Sequence, residues 1–107
     1  MKVQLSPRAE ADLIRQFRYY LVDHDAPTVA VRFRESLIAS IEQLRAYPEM
    51  GTKFAGSISG LRSWPVKGFE AIRIYYVNNP GHLVVVRILH GKRSIRQILK
   101  REKLDES

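Results

Sequence analysis

The sequence predicts an α+β fold because the spacing of its apolar residues changes part-way along the chain. Up to residue 47, apolar side chains recur every three or four positions, as in amphipathic helices. After the Gly- and Ser-rich segment 48–60, they alternate, as in strands. Helices that precede a run of strands indicate a helical layer on one face of a sheet. We therefore predict a single domain over residues 1–107, with the order β-α-α-β-β-β-α and a small antiparallel sheet.

The first half of the chain should form a short strand and two helices. Lys2–Leu5 alternates, and Ser6 can then cap a helix that begins at Pro7. A second helix should begin at Pro27 and end near residues 47–48, and the short link between the helices predicts an antiparallel hairpin. The stripe of the first helix is Ala9, Leu13, Phe17 and Leu21, and that of the second is Ala30, Phe33, Leu37, Ile41 and Leu44.

The second half should form three strands and a short C-terminal helix. Residues 61–66, 69–77 and 82–90 are strand candidates, and the last of them is the most apolar. Pro65 places the first of these strands at an edge or a bulge. The letters NNPG predict a turn between the other two. Residues 94–100, with the letters SIRQILK, are typical of a short helix.

Positive charge is concentrated in the second half of the chain. The net charge is +7, yet residues 1–50 hold seven basic and seven acidic side chains. Residues 51–101 hold ten basic side chains and only Glu70 as an acidic one. Such a field attracts a polyanion or an acidic protein, although it is also typical of a solubilising surface.

Several functional classes find no support in the sequence. The chain has no cysteine, which excludes disulfides and thiolate chemistry, and its three histidines are not spaced as a metal site. No nucleotide-binding or hydrolase motif is present. No apolar run has the length of a signal-peptide core or a membrane span. We expect a cytoplasmic protein with no metal, no cofactor, no membrane partner and no evident catalytic residue.

Basic residues on and after the strands are the candidates for a contact surface. Arg73 and Arg87 each interrupt an apolar strand, so each either points to solvent or lines an anion-contacting face. His90 ends the last strand, where it either makes a structural hydrogen bond or exchanges a proton. The complete candidate surface for a target or a partner consists of Arg62, Arg73, Arg87, His90, Lys92, Arg93, Arg96, Lys100 and Arg101.

Four short motifs, in this order and spacing, are similar to those of a known family. They are YPEMG after the second helix, LRSWPV, IYYV and RILHGKR. The chain resembles, over nearly its whole length, the ParE branch of the RelE/ParE toxin superfamily. The resemblance implies the toxin of a type II toxin–antitoxin pair that inhibits DNA gyrase or another type II topoisomerase, arrests growth and stabilises plasmids. It also implies a hetero-oligomer with a ParD-like antitoxin, whose acidic, flexible segment silences the toxin.

The resemblance also implies an alternative activity. RelE-like relatives cleave messenger RNA on the ribosome with strand lysines and arginines and a C-terminal tyrosine. Arg73 and Arg93 match two of the arginines, but the lysines and the tyrosine have no counterpart here. This favours gyrase inhibition over a ribosome-dependent endoribonuclease. A relative that only binds its partner is a third reading.

The helices are the expected docking place of the antitoxin. Their apolar sides are extensive for so small a sheet, so we expect part of them to form a groove. An extended antitoxin segment would lie across this groove or add to a sheet edge. The candidate groove residues are Leu13, Phe17, Leu21, Phe33 and Leu37.

Overall fold

A helical hairpin packs on one face of a five-stranded sheet, which confirms the predicted α+β class. The computed structural model of the chain describes residues 1–54, 58–91, 95, 97 and 98. The sheet order is β1-β5-β4-β3-β2. The elements are β1 (Lys2–Leu5), α1 (Pro7–Arg18), a π-helical turn (Tyr19–Asp23), α2 (Pro27–Ala46), β2 (Thr52–Lys53), β3 (Leu61–Val66), β4 (Phe69–Asn79) and β5 (His82–His90).

The sheet differs from the prediction in two respects. It is mixed rather than antiparallel throughout, because β1 pairs with β5 in parallel, from Lys2 opposite His82 to Leu5 opposite Val85. The segment predicted as a loop also contains β2, which pairs with β3 through only two residues. The predicted bulge is confirmed, since the register of β3 against β4 shifts after Pro65. Of the predicted C-terminal helix, Ile95, Gln97 and Ile98 are helical, and its other residues lie outside the described ones.

The start of α1 follows the predicted capping pattern. Ser6 has extended backbone angles, and its Oγ accepts a hydrogen bond from the N–H of Ala9 at 3.0 Å. The same hydroxyl donates to the carbonyl oxygen of Val86 at 2.7 Å. One side chain therefore fixes both the start of the helix and its position along β5.

Alternate residues of the strands face two separate apolar clusters. Ile72, Ile74 and Tyr76 pack against the hairpin, where Phe33 and Leu37 are almost completely buried. On the opposite face of the sheet, a second cluster contains Leu61, Tyr75, Leu89 and Ile95. Neither helix described here is long and apolar enough to cross a membrane.

A buried ion pair joins α1 to the last strand. Arg87 donates from Nε and Nη2 to the Asp12 carboxylate at 2.7 and 2.9 Å, and Asp12 also accepts from the backbone N–H of Ile88 at 3.0 Å. The side chains of Arg87 and Asp12 are only 8% and 1% exposed. Because β1 ends at Leu5, the Asp12 carboxylate stands where a strand partner of β5 would otherwise accept this N–H.

We predict that Asp12→Ala strongly destabilises the chain. The substitution removes the carboxylate that accepts from a buried guanidinium and a buried N–H, and breaking such a pair costs about 3–5 kcal/mol. Urea unfolding measures the free energy of unfolding. The control is Glu42→Ala, which removes the partner of Arg45 from an exposed pair at 3.6 Å, and we expect a change below about 1 kcal/mol. Similar small losses in both variants would contradict the role given to Asp12.

Candidate functional site

Arg73 lies on the sheet face that points away from the hairpin. In the β4–β5 register, Arg73 stands opposite Leu89 and Arg87 opposite Tyr75. Leu89 and Tyr75 belong to the cluster on this face, so the side chains of both arginines leave the backbone on this face. Arg73 is half-buried, and its Nε and Nη2 donate to Ser63 Oγ at 3.3 and 3.0 Å. The hydroxyl fixes the guanidinium against the sheet. Because a hydroxyl is neutral, this contact does not neutralise the positive charge of Arg73.

Arg87 does not belong to an exposed basic surface. The sequence pattern allowed a solvent-facing side chain or an anion-contacting one, but the structure buries Arg87 and pairs it with Asp12. The alternation of β5 could not reveal this contact, because the two residues lie 75 positions apart. Arg87 is therefore inaccessible to a target that docks on the folded chain.

Arg62 and Tyr76 hold the loop that contains the YPEMG motif. Arg62 Nη1 donates to the carbonyl oxygens of Glu49 and Gly51 at 3.0 and 2.8 Å. The Tyr76 hydroxyl donates to the carbonyl oxygen of Pro48 at 2.7 Å and accepts from the N–H of Gly51 at 2.9 Å. These bonds tie the motif to two neighbouring strands, and they give Arg62 a structural role.

Gly51 is required by the close approach of this tyrosine. A Cβ atom at position 51 would lie 2.3 Å from the Tyr76 hydroxyl oxygen, far inside van der Waals contact. The glycine thus lets the backbone reach the phenol. Tyr47, which directly follows α2, is 68% exposed beside this fixed loop.

His90 and the residues after it complete the predicted basic surface. His90 is half-buried at the end of β5 and stands opposite Ile72. Its side chain lines a cleft beside the π-helical turn. Five predicted contact residues lie outside the described ones, namely Lys92, Arg93, Arg96, Lys100 and Arg101.

The candidate groove residues divide between the core and the surface. Phe33 and Leu37 are 0% and 1% exposed, so they are inaccessible to a partner. Leu13 and Phe17 are half-buried, and Leu13 packs on the core. Only Leu21 is exposed. The regular apolar stripe that marks a helix in the sequence is the side that the helix presents to its own sheet, which is why most of these residues are not exposed.

A different set of apolar side chains is exposed on the hairpin. We call it the outer apolar surface, and it consists of Ile14, Val22, Val31 and Ile38, which are 57%, 62%, 48% and 48% exposed. One depression of about 520 Å³ contains Ile14 and Val22, and another of about 480 Å³ contains Val31. The sequence feature that could have indicated this surface is the spacing of seven residues between Val31 and Ile38, which lie outside the main apolar stripe of the second helix.

The comparison with protein families decides the identity. The model described as the ParE toxin of the type II toxin–antitoxin system parDE matches residues 3–95. The chain belongs to the ParE toxin family. This match includes the loop held by Tyr76 and all five strands except Lys2, and it ends at the buried Ile95.

A solved structure has a similar fold. It is described as the chromosomal ParDE TA system from P. aeruginosa, and the matched chain superposes with a TM-score of 0.70. The two chains are 17% identical, and the match covers 84% of this chain and 95% of the other. At this identity the likeness concerns the fold alone. A comparison with curated protein sequences gave no match.

Burial raises the pKa of Tyr76 above its ordinary value of 10.0, and the Gly51 N–H and the Arg62 charge offset part of that rise. We therefore predict that its contribution to stability is complete below pH 10.0 and is lost as the pH rises through the raised folded-state pKa. Burial raises the pKa of Tyr20 and Tyr75 in the same direction. Urea unfolding at a series of pH values above 9, roughly, measures the decline.

The matched variants are Tyr76→Phe and Tyr47→Phe. Tyr76→Phe should lose about 1–3 kcal/mol at neutral pH, because Pro48 and Gly51 each lose a hydrogen-bond partner. It should also show a shallower alkaline decline, while Tyr47→Phe retains the full one. An unchanged alkaline slope in Tyr76→Phe would contradict the assignment.

Proposed function

We propose that this ParE-family chain is a toxin that inhibits DNA gyrase in the cytoplasm and is neutralised by a ParD-like antitoxin. The observation that carries the proposal is the family match over residues 3–95, which spans nearly all of the described fold.

Two of the three strand arginines are engaged within the chain, so they are unavailable as cations for RNA cleavage. Cleavage of RNA without a metal needs a general base, a general acid and cations placed around the phosphate. Arg62 and Arg87 are engaged in bonds within the chain, and Arg73 contacts only a serine hydroxyl in the described contacts. The sequence has no tyrosine after Tyr76 that could take the role of the C-terminal residue of the nucleases.

The outer apolar surface is our candidate for the antitoxin contact. Exposed apolar side chains on a helical hairpin are costly in water unless a partner covers them. Arg15 and Arg18 border the first depression together with Asp23, and Arg32 borders the second together with Glu35. An amphipathic partner segment with acidic side chains would match both the apolar residues and the bordering arginines.

We predict that the purified chain, freed of antitoxin, abolishes supercoiling of relaxed plasmid by gyrase and ATP and leaves cleaved plasmid. Addition of the antitoxin should restore supercoiling, because the complex covers the toxin. Unchanged supercoiling at high toxin concentration would contradict gyrase inhibition. In that case, cleavage of message on ribosomes would indicate the nuclease, and neither activity would indicate a chain that only binds its partner.

We also predict that Val31→Glu combined with Ile38→Glu weakens antitoxin binding by at least about 10-fold, since two apolar anchors are lost and two repelling charges are added. Titration calorimetry with the antitoxin measures the dissociation constant. The control is Asn79→Glu, a change at an exposed position beside the β4–β5 turn, with binding expected to stay within about two-fold. Equal binding by all these chains would exclude the outer apolar surface as the contact.

A further inference from the structure

We propose that the cleft beside the π-helical turn binds an oxyanion, a carboxylate or a phosphate, attached to a flat apolar body. The cleft has a volume of about 620 Å³, which is in the range of sites for small organic ligands. This inference does not require gyrase inhibition, and it shares Arg15 with the border of the candidate antitoxin contact. It rests on the side chains that meet at the end of the hairpin.

The cleft is lined mostly by side chains that can donate hydrogen bonds. They come from three parts of the fold: the end of α1, the π-helical turn with the residue after it, and the end of β5. These donors are Arg15, Gln16, Tyr19, Tyr20, His24 and His90. The two remaining described lining residues, Ala26 and Val29, are apolar, and none of the described lining residues is acidic.

The charge of Arg15 is available to a ligand. Its side chain is 62% exposed, and its nearest carboxylate, Asp12, lies 3.7 Å away. That carboxylate is already occupied by two hydrogen bonds from Arg87 and one from the N–H of Ile88. A planar guanidinium is the side chain best suited to pair with the two oxygens of a carboxylate or phosphate.

The π-helical turn builds the aromatic wall of the cleft. Its wider turn is closed by hydrogen bonds from the His24 N–H to the Tyr19 carbonyl at 3.1 Å and from the Ala26 N–H to the Tyr20 carbonyl at 2.9 Å. The rings of Tyr19 and His24 lie 4.4 Å apart at 61°. The wall is therefore formed before any ligand arrives.

The core fixes the second ring of this wall. Tyr20 packs 5.6 Å from both Phe33 and Phe69, and the Gln16 side chain is hydrogen-bonded to it. Ring faces and edges, together with Ala26 and Val29, suit a flat apolar group. The hydrogen-bond donors around these apolar groups favour a negatively charged head group. The apolar groups and the donors together define the ligand class.

The test is a titration of the isotope-labelled full chain with phenyl phosphate, benzoate and inorganic phosphate, followed by NMR. We expect saturable shifts at the amides of Tyr19, Tyr20, His24 and His90 with both aromatic anions. Inorganic phosphate should bind about 10-fold more weakly than phenyl phosphate, because it lacks the apolar body. The ratio of the dissociation constants of benzoate and phenyl phosphate shows whether the cleft prefers a carboxylate or a phosphate.

The matched variants are Arg15→Gln and Arg32→Gln, which each remove one exposed arginine from the hairpin. Arg15→Gln should weaken binding of the aromatic anions by about 10-fold or more, and Arg32→Gln by less than about two-fold. Equal weakening by both variants, or shifts that avoid the cleft, would overturn the proposal, since binding would then follow the overall positive charge. Supercoiling by gyrase is not part of this measurement, so either proposal can fail alone.

Discussion

The carboxylate of Asp12 holds the fold together at the place where the sheet is incomplete. β1 covers only the first part of β5, and beyond Leu5 the N–H of Ile88 has no strand to pair with. Asp12 supplies the missing acceptor and at the same time balances the charge of Arg87. These contacts fix α1 along the edge of β5. Because the π-helical turn directly follows α1, they also set the position of that turn. The cleft and the outer apolar surface both depend on that position.

Local patterns in the sequence were sufficient for most of the elements. The caps at Ser6 and Pro7, the stripe through Phe33 and Leu37, and the alternation of the strands each depend on neighbouring residues. The parallel pairing of β1 could not be inferred in the same way, because it joins the two ends of the chain and no local signal specifies it. The two-residue strand β2 is too short to have a periodicity.

The candidate site was harder to predict than the fold, for a physical reason. The local sequence around a charged strand residue is the same kind of pattern whether its side chain contacts solvent, a serine or a buried carboxylate. Arg73, Arg62 and Arg87 proved to have three different surroundings: a hydroxyl, two loop carbonyls and Asp12. In the same way, the strongest apolar stripe belonged to the core. The exposed residues of the outer apolar surface have a less regular spacing in the sequence than the residues of the core stripe.

The pairing of β1 with β5 also determines when the complete fold can form during synthesis of the chain. Ser6, which follows β1, bonds to Val86 across a separation of 80 residues. A ribosome delivers the chain from its N-terminus, so β1 emerges long before the strand that it pairs with. The hairpin can form while translation continues, but the sheet edge and the Asp12–Arg87 pair must wait for β5. The completed toxin fold is therefore a product of the last stage of translation, and a half-made chain lacks it.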